Sequence, residues 1–217
     1  SGVVNSVVSG QVDIALQAID RRRASIFDFT GTGMSPELDA DPANYEVATG
    51  NLMLADFSAG KPIAVRGFPE AFGTAPPDFT GRTVIDFAEV RSALGVGWGP
   101  DGTTAPFLRM GADGLVLDNQ NPAVDVRHYI KQGTVLIDLQ SLDSDTTIVP
   151  PGSGRTLYVV KTADSLRQYS NFAEFVDDLT ASLDGATSAR SMFARGHYDA
   201  DSNVFTAFKF GVYLLEP

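Results

Sequence analysis

Cysteine is absent from the chain, which excludes disulfide bonds, thiolate nucleophiles and zinc sites with sulfur ligands. Histidine is scarce, because only His128 and His197 are present, and neither the H-x-H nor the H-E-x-x-H spacing of zinc sites occurs. Long apolar runs are also missing, since no window approaches the roughly 18 consecutive apolar residues of a membrane-spanning helix. These absences exclude several kinds of functional site, but they do not determine the cellular compartment of the protein.

Positive charge is in short supply. The chain has 16 Lys and Arg against 27 Asp and Glu, a formal net charge of −11, and its one basic run is residues 21–23. Nucleic-acid-binding proteins neutralise phosphates with clustered cations, so we predict no nucleic-acid partner. The chain opens at Ser1 rather than at methionine, and we expect that it is processed or truncated at this end.

Apolar and polar residues alternate through much of the chain, which is the period of a β-strand. The segments with this pattern are residues 11–20, 23–29, 45–54, 61–68, 82–90, 113–118, 134–142, 155–162 and 204–215. They are rich in Val, Ile, Phe and Tyr, and 21 Gly and 12 Pro supply turns. The pattern predicts a mostly-β protein.

One segment, residues 171–184, has a helical period instead. Its apolar stripe consists of Phe172, Phe175, Val176, Leu179 and Leu183. Asn171 can accept a hydrogen bond from the first turn, with Glu174 three residues later, and Gly185 can end the helix in the left-handed conformation. We predict one amphipathic helix that packs against a curved sheet.

Two pairs of short segments echo each other along the chain. "AVRGF" (64–68) matches "FARGH" (193–197), and "TVIDF" (83–87) matches "TAFKF" (206–210), an alignment that gives the first loop six extra residues. A shared terminal hairpin suggests a duplicated unit. The glycine-rich residues 95–106 break the strand pattern and are the predicted linker between modules at residues 1–94 and 107–217.

The terminal hairpin also resembles a known family. Its matching residues are Arg195, Gly196, Tyr198, Asp199, Asp201, Asn203, Phe205, Ala207, Lys209 and Phe210. Similar hairpins occur in small OB-like β-barrel modules of uncharacterised bacterial envelope proteins and lipoproteins. The resemblance covers about a third of the chain, and the long loop at 69–82 and the helix depart from it.

This resemblance implies a fold and a compartment. We expect two OB-like small β-barrels, with the helix in the second; a single larger β-barrel or sandwich is the alternative. The implied location is the bacterial periplasm or an anchor at the outer membrane.

The segment "DADSN" is a candidate metal site, because Asp199, Asp201 and Asn203 alternate along it. An EF-hand would need glycine and glutamate where Val204 and Phe210 stand, so that site is excluded. A weak calcium site is the minority interpretation, and we otherwise expect no cofactor. The favoured alternative is a turn, in which Asp and Asn bond to nearby backbone.

Exposed aromatic residues are the candidate ligand-binding groups. Phe68, Phe72 and Phe79 alternate with prolines in a stiff loop, and Trp98 lies between glycines. The alternatives are that the phenylalanines cover a barrel end and that Trp98 packs between the two modules.

No enzyme signature stands out, so we predict a non-enzymatic module that binds or scaffolds an envelope protein or polysaccharide. The alternative is a hydrolase that uses carboxylates with His197 or His128 on a polar surface substrate. An enzyme should bring a histidine and two carboxylates into one cleft. A binding module should leave the histidines apart and present a groove.

Overall fold

The computed structural model describes residues 1–121, 128–183 and 185–216, and the chain divides into two compact units. The first unit is Ser1–Phe87 with Thr134–Leu136, and the second is Ala88–Gly133 with Ile137–Pro217. The structure is 48% strand and 11% helical, which confirms the mostly-β prediction. The first break between the units follows Phe87 and so precedes the predicted linker at 95–106, of which residues 95–97 are the end of a strand.

The first unit contains seven strands. They are β1 (Gly2–Val8), β2 (Gln11–Leu16), β3 (Ala18–Ile19), β4 (Arg22–Arg23), β5 (Tyr45–Ala48), β6 (Pro62–Pro69) and β7 (Phe79–Asp86). Short 3-10 turns occupy Ala24–Ile26, Pro36–Leu38 and Pro42–Asn44. The predicted strand at 23–29 is therefore wrong, because Phe27 N donates locally to Ala24 O and Thr30 N donates to Asp28 Oδ1.

Five of these strands close into a barrel in the order β1-β2-β5-β7-β6. The neighbouring strands are antiparallel except β5 and β7, which are parallel. This is the connectivity of an OB-type barrel, as predicted for the first module. Its core contains Val4, Val12, Ile14, Val47 and Ile63, which come from four strands and alternate with more exposed residues.

The remaining strands lie in the second unit, except that residues 135–136, at the start of one of them, belong to the first unit. They are β8 (Ser92–Gly97), β9 (Phe107–Gly111), β10 (Gly114–Leu117), β11 (His128–Gln132), β12 (Val135–Asp138), β13 (Thr147–Val149), β14 (Leu157–Lys161), β15 (Leu166–Tyr169), β16 (Ser188–Asp199) and β17 (Val204–Leu215). A 3-10 turn occupies Leu139–Ser141, and α1 spans Phe172–Ser182.

Among the described residues, these strands form a ten-stranded sheet in the order β12-β11-β8-β16-β17-β13-β10-β9, with β14 and β15 beside β17. Its described hydrogen bonds do not close a second five-stranded barrel, so the expectation of two such barrels holds only for the first unit. The reason is the length of β17. Its first half pairs with β13 and its second half pairs with β14, so two successive partners extend the sheet.

The helix α1 forms as its capping residues and apolar stripe predict. The Asn171 side chain accepts a hydrogen bond from Ala173 N at 2.8 Å and caps the first turn. Phe175 stacks on Tyr158, with ring centres 5.6 Å apart, and meets the edge of Phe210 at 5.3 Å. Burial of this stripe fixes the helix on the sheet. Residue 184, the end of the predicted helix, lies outside the described residues.

None of the described helices is long and apolar enough to cross a membrane.

The Arg-Gly echo corresponds to the same backbone feature in both units. The β6–β7 register shifts at Arg66/Gly67, and the β16–β17 register shifts at Arg195/Gly196. A β-bulge therefore occurs at each Arg-Gly pair. The sequence alignment that paired Thr83 with Thr206 is wrong by three residues.

The surroundings of the two glycines give the corrected register. A Cβ on Gly67 would lie 2.0 Å from Thr80 O, and a Cβ on Gly196 would lie 1.8 Å from Thr206 O. The phenylalanine that precedes each threonine, Phe79 or Phe205, meets the same glycine. "FTG" therefore corresponds to "FTA", and the first loop has three extra residues rather than six.

Candidate ligand-binding site

The sheet of the second unit packs one face into the core and turns the other outward. On β11, β8, β16, β17 and β14, the strand register arranges the outward-facing residues in rows across the strands. The middle row consists of Tyr129, Gly95, Phe193, Gly211 and Val159. One neighbouring row consists of Gly97, Ser191, Tyr213 and Lys161. The other neighbouring row consists of Lys131, Ala93, Arg195, Lys209 and Leu157.

A depression of about 560 Å³ lies over the first two rows. Gly95, Gly97 and Gly211 form its floor, and Phe193 and Tyr213 project beside them. We call these five residues the glycine trough. The side chain of Phe193 is unusually open for a large apolar residue within a long central strand, at 47% exposure.

The packing of the protein does not require a glycine at position 95. A Cβ built on this residue would have no described atom within 4 Å, so it would project into the empty trough. Its backbone conformation lies outside the left-handed region, and other residues can adopt it. Glycine within a strand weakens the strand and often marks a position where another group approaches the backbone closely. The trough therefore has the features of a ligand floor.

The third row places positive charge beside the trough. We call Lys131, Arg195 and Lys209 the cation row. Arg195 and Lys209 are directly opposite each other, an arrangement of like charges that destabilises a sheet. Within the part of the chain that the structure describes, none of the three has a carboxylate within ion-pair distance. The Arg195 guanidinium lies 5.6 Å from the centre of the Phe193 ring.

This face is basic although the protein is acidic overall. The strands β8, β11, β14, β16 and β17 carry one carboxylate, Asp199, at the end of β16. Their cations are Lys131, Lys161, Arg190, Arg195 and Lys209. Lys161 Nζ lies 5.4 Å from the centre of the Tyr213 ring, so a cation and an aromatic ring meet at the trough too. The face is suited to an anionic ligand.

The "DADSN" segment forms the turn between β16 and β17, and Asn203 is buried there, with 8% exposure. Its Oδ1 accepts hydrogen bonds from Thr146 Oγ1 at 3.0 Å and from Tyr198 OH at 3.1 Å. Its Nδ2 donates to Ser144 O at 2.7 Å. The oxygen that a metal would need is therefore already engaged by two hydroxyl groups.

Asp199, the first aspartate of this turn, is engaged in local hydrogen bonds. Asp199 accepts hydrogen bonds from Asp201 N at 3.0 Å and from Ser202 Oγ at 2.6 Å, which holds the turn together.

Burial, and secondarily the charge of Asp199, raises the pKa of Tyr198 to about 12. Across the described ranges, no cluster of three or more His, Asp or Glu is arranged to hold a metal ion.

The two histidines lie on opposite faces of the second sheet. His128 pairs with Val96 on the buried face, and its Nε2 donates to Asn119 O at 2.9 Å. His197 is outward-facing, and its ring meets the edge of Phe208 at 5.2 Å. The sheet separates the two imidazoles, so they cannot act together on one substrate.

The predicted aromatic residues have different environments. In the first unit, Phe68 and Phe72 are exposed, at 65% and 75%, whereas Phe79 packs partly against the barrel core. In the second unit, Trp98 is a core residue with 4% exposure, and its ring meets Phe107 edge-on at 6.4 Å. The Trp98 ring faces are thus covered by protein, and only Phe68 and Phe72 are open to solvent.

Phe79 also lines a smaller cavity of about 330 Å³ in the first unit. The other walls include Ile14, Leu16, Tyr45 and Val65. Burial raises the pKa of Tyr45 to about 12, with smaller contributions from neighbouring carboxylates, so this phenol stays neutral at physiological pH. The cavity is lined mainly by apolar residues, with Ser1, Asp20, Tyr45 and Arg66 as its polar ones, and we rank it below the trough because it is smaller.

Sequence reasoning missed the glycine trough and the cation row. A signal was nevertheless present in "ALGVGW", where Gly95 and Gly97 are two residues apart in an apolar segment and therefore share one face. Glycines at period two within a strand indicate a flat, side-chain-free surface, whereas glycine content alone predicts a linker. The cations come from separate strands, so only the register brings them together.

Comparison of the chain with protein-family models, with curated proteins and with solved structures gives no match.

Proposed function

We propose that this protein is a non-enzymatic binding module of the bacterial cell envelope, and that it binds a polysaccharide chain in the glycine trough. The observation that carries the proposal is the trough itself. Its floor is backbone at Gly95, Gly97 and Gly211, and an aromatic ring projects from each of β16 and β17. Ligand sites combine such apolar surfaces with a few polar groups that fix orientation.

The chemistry of this surface fits a sugar ring. A pyranose has a flat apolar face of C–H groups, which packs against an aromatic ring, and a rim of hydroxyl groups that need hydrogen-bond partners. Phe193 supplies the exposed aromatic ring, and Ser191 and Tyr213 supply hydroxyl groups in the adjacent row. A floor without side chains allows a broad ring to approach the sheet.

The module is proposed to be non-enzymatic because of the position of the histidines. His128 points into the core and His197 points outward, and among the described residues neither belongs to a group of three or more His, Asp or Glu that could hold one ion. The hydrolase alternative therefore lacks the cluster of one histidine and two carboxylates on which it depends. The envelope location rests on the resemblance of the terminal hairpin at 195–210 to envelope modules.

The substitution Gly95→Val tests the site. The Cβ of a valine here would have no described atom within 4 Å and would project into the trough, so we expect the fold to survive and polysaccharide affinity to fall at least about tenfold, by loss of one ring contact. Gly152→Val is the matched control, because a Cβ at Gly152 also has no described atom within 4 Å and lies away from the trough lining.

Affinity electrophoresis in gels that contain a neutral glucan, mannan, polygalacturonate or alginate measures the binding. At least one polymer should retard the wild-type protein and the Gly152→Val variant, and it should retard Gly95→Val much less. Equal retardation of Gly95→Val and wild type, or retardation by none of the polymers, would contradict the proposal.

A further inference from the structure

Resting on the proposed function of the trough, we propose that its ligand is an acidic polysaccharide, whose carboxylates are bound by the cation row. The row crosses β11, β8, β16 and β17, four adjacent strands, and so extends about 14 Å across the sheet. It lies two residues along the strands from the row of Gly95 and Phe193, a distance of about 7 Å. The row of charges therefore runs beside the trough.

A polysaccharide that lies across the strands would meet both features at once. Its rings would lie over Gly95 and Gly211 against Phe193, and the carboxylates on one edge of the chain would point at Arg195 and Lys209. Guanidinium and ammonium groups bind carboxylates with charge-assisted hydrogen bonds. One face of the ligand would thus be recognised by packing and one edge by charge.

The arrangement of the cations is unfavourable without such a ligand. Arg195 and Lys209 are direct cross-strand neighbours, and no carboxylate in the described residues compensates them. Elsewhere the chain has an excess of carboxylates, which yields a net charge of −11. Because screening limits exposed charges to a range of about 8–10 Å, an anion at the trough would experience mainly this local row.

A single-stranded nucleic acid is the competing polyanion. Proteins that bind it present a series of exposed aromatic rings on which successive bases stack. In the trough, Phe193 is the one ring that is largely exposed, Tyr213 is half-buried, and the remaining surface is glycine backbone, so no series of exposed rings is present. This surface favours sugar rings over stacked bases.

The experiment compares polygalacturonate with its fully methyl-esterified form, in which the same backbone lacks the negative charges. The variants are the wild type, the double variant Arg195→Gln with Lys209→Gln, and a control, Arg22→Gln with Arg23→Gln. The control removes two exposed cations from the first unit, so the net charge of the two double variants is equal. Calorimetry measures affinity, and near-ultraviolet circular dichroism verifies the fold.

We expect wild type and control to bind the acid at least about tenfold more tightly than the ester, with affinity falling between about 50 and 200 mM salt. The Arg195/Lys209 variant should lose this preference and retain affinity for the ester. Equal binding of acid and ester by wild type, or binding of only neutral polymers, would overturn the acidic ligand while polysaccharide binding stands. So would an unchanged preference in the Arg195/Lys209 variant.

Two further outcomes are informative. If an oligothymidylate binds more tightly than polygalacturonate at equal salt, and Gly95→Val abolishes that binding, the ligand class is overturned in favour of single-stranded nucleic acid. If acid, ester and neutral polymers all fail to bind, the proposed function fails together with this inference.

Discussion

Replacement of Gly196 by alanine should lower the free energy of unfolding of the second unit by about 3 kcal/mol. The glycine lies at the β-bulge between β16 and β17, where a Cβ would be 1.8 Å from Thr206 O and 2.9 Å from the Phe205 ring. The obstructing oxygen belongs to the backbone of a paired strand, so no side-chain rotation relieves the overlap. The hairpin must separate or lose hydrogen bonds to accept the methyl group.

Urea unfolding followed by Trp98 fluorescence measures this effect, since Trp98 is the only tryptophan and is buried in the second unit. With slopes of about 1–3 kcal/mol per molar urea, the midpoint should fall by about 1 M or more. Gly95→Ala is the control on the neighbouring strand and should change stability by less than about 1 kcal/mol. A Gly196→Ala midpoint equal to that of Gly95→Ala would refute the close approach at the bulge.

The same bulge explains why the sequence echo was found but misaligned. "RG" recurs because both hairpins need a residue without a side chain where the partner strand crosses the bulge. The threonines Thr83 and Thr206 were matched by letter alone, yet the residue that actually touches Gly67 is Thr80. Sequence similarity identified the shared element, whereas only the strand register identified the equivalent atoms.

The helix and the alternating strands were predictable because their signals are local. Asn171 caps α1 through bonds to the next residues, and the stripe of Phe172 and Phe175 lies within two turns. The sheet topology is harder to predict from the sequence, because it depends on which strands pair. For example, β17 has two parallel partners, β13 and β14. These partners come from distant segments, so no short motif predicts the pairing.

The candidate site could not be assembled from the sequence for the same reason. Lys131, Arg195 and Lys209 are far apart in the chain, and each alone is an ordinary strand residue on a polar face. The segment "DADSN", whose alternate polar residues are typical of a metal site, combines an Asp199 that accepts local hydrogen bonds with a buried Asn203. In this protein the alternate polar residues therefore form a structural turn, whereas the alternate glycines form the surface that is open to a ligand.

Replacement of Asn203 by alanine should cost the second unit about 4 kcal/mol of stability. Alanine removes the donor to Ser144 O and the acceptor for Thr146 Oγ1 and Tyr198 OH, so two buried hydroxyl groups lose the acceptor for their protons. It must also adopt the left-handed conformation of Asn203, with φ at 51°, which asparagine tolerates better than alanine. Both effects favour the unfolded chain.

Trp98-monitored urea unfolding again measures the loss, and two variants separate its causes. Asn203→Gly keeps the backbone conformation accessible and should recover about 1 kcal/mol relative to Asn203→Ala. Ser202→Ala removes one exposed hydrogen bond to Asp199 in the same turn and should cost about 1 kcal/mol or less. If Asn203 were instead a calcium ligand, millimolar calcium would raise the wild-type midpoint and leave that of Asn203→Ala unchanged. Because Asn203 Oδ1 already accepts two hydrogen bonds, we expect the same midpoint with calcium or a chelator.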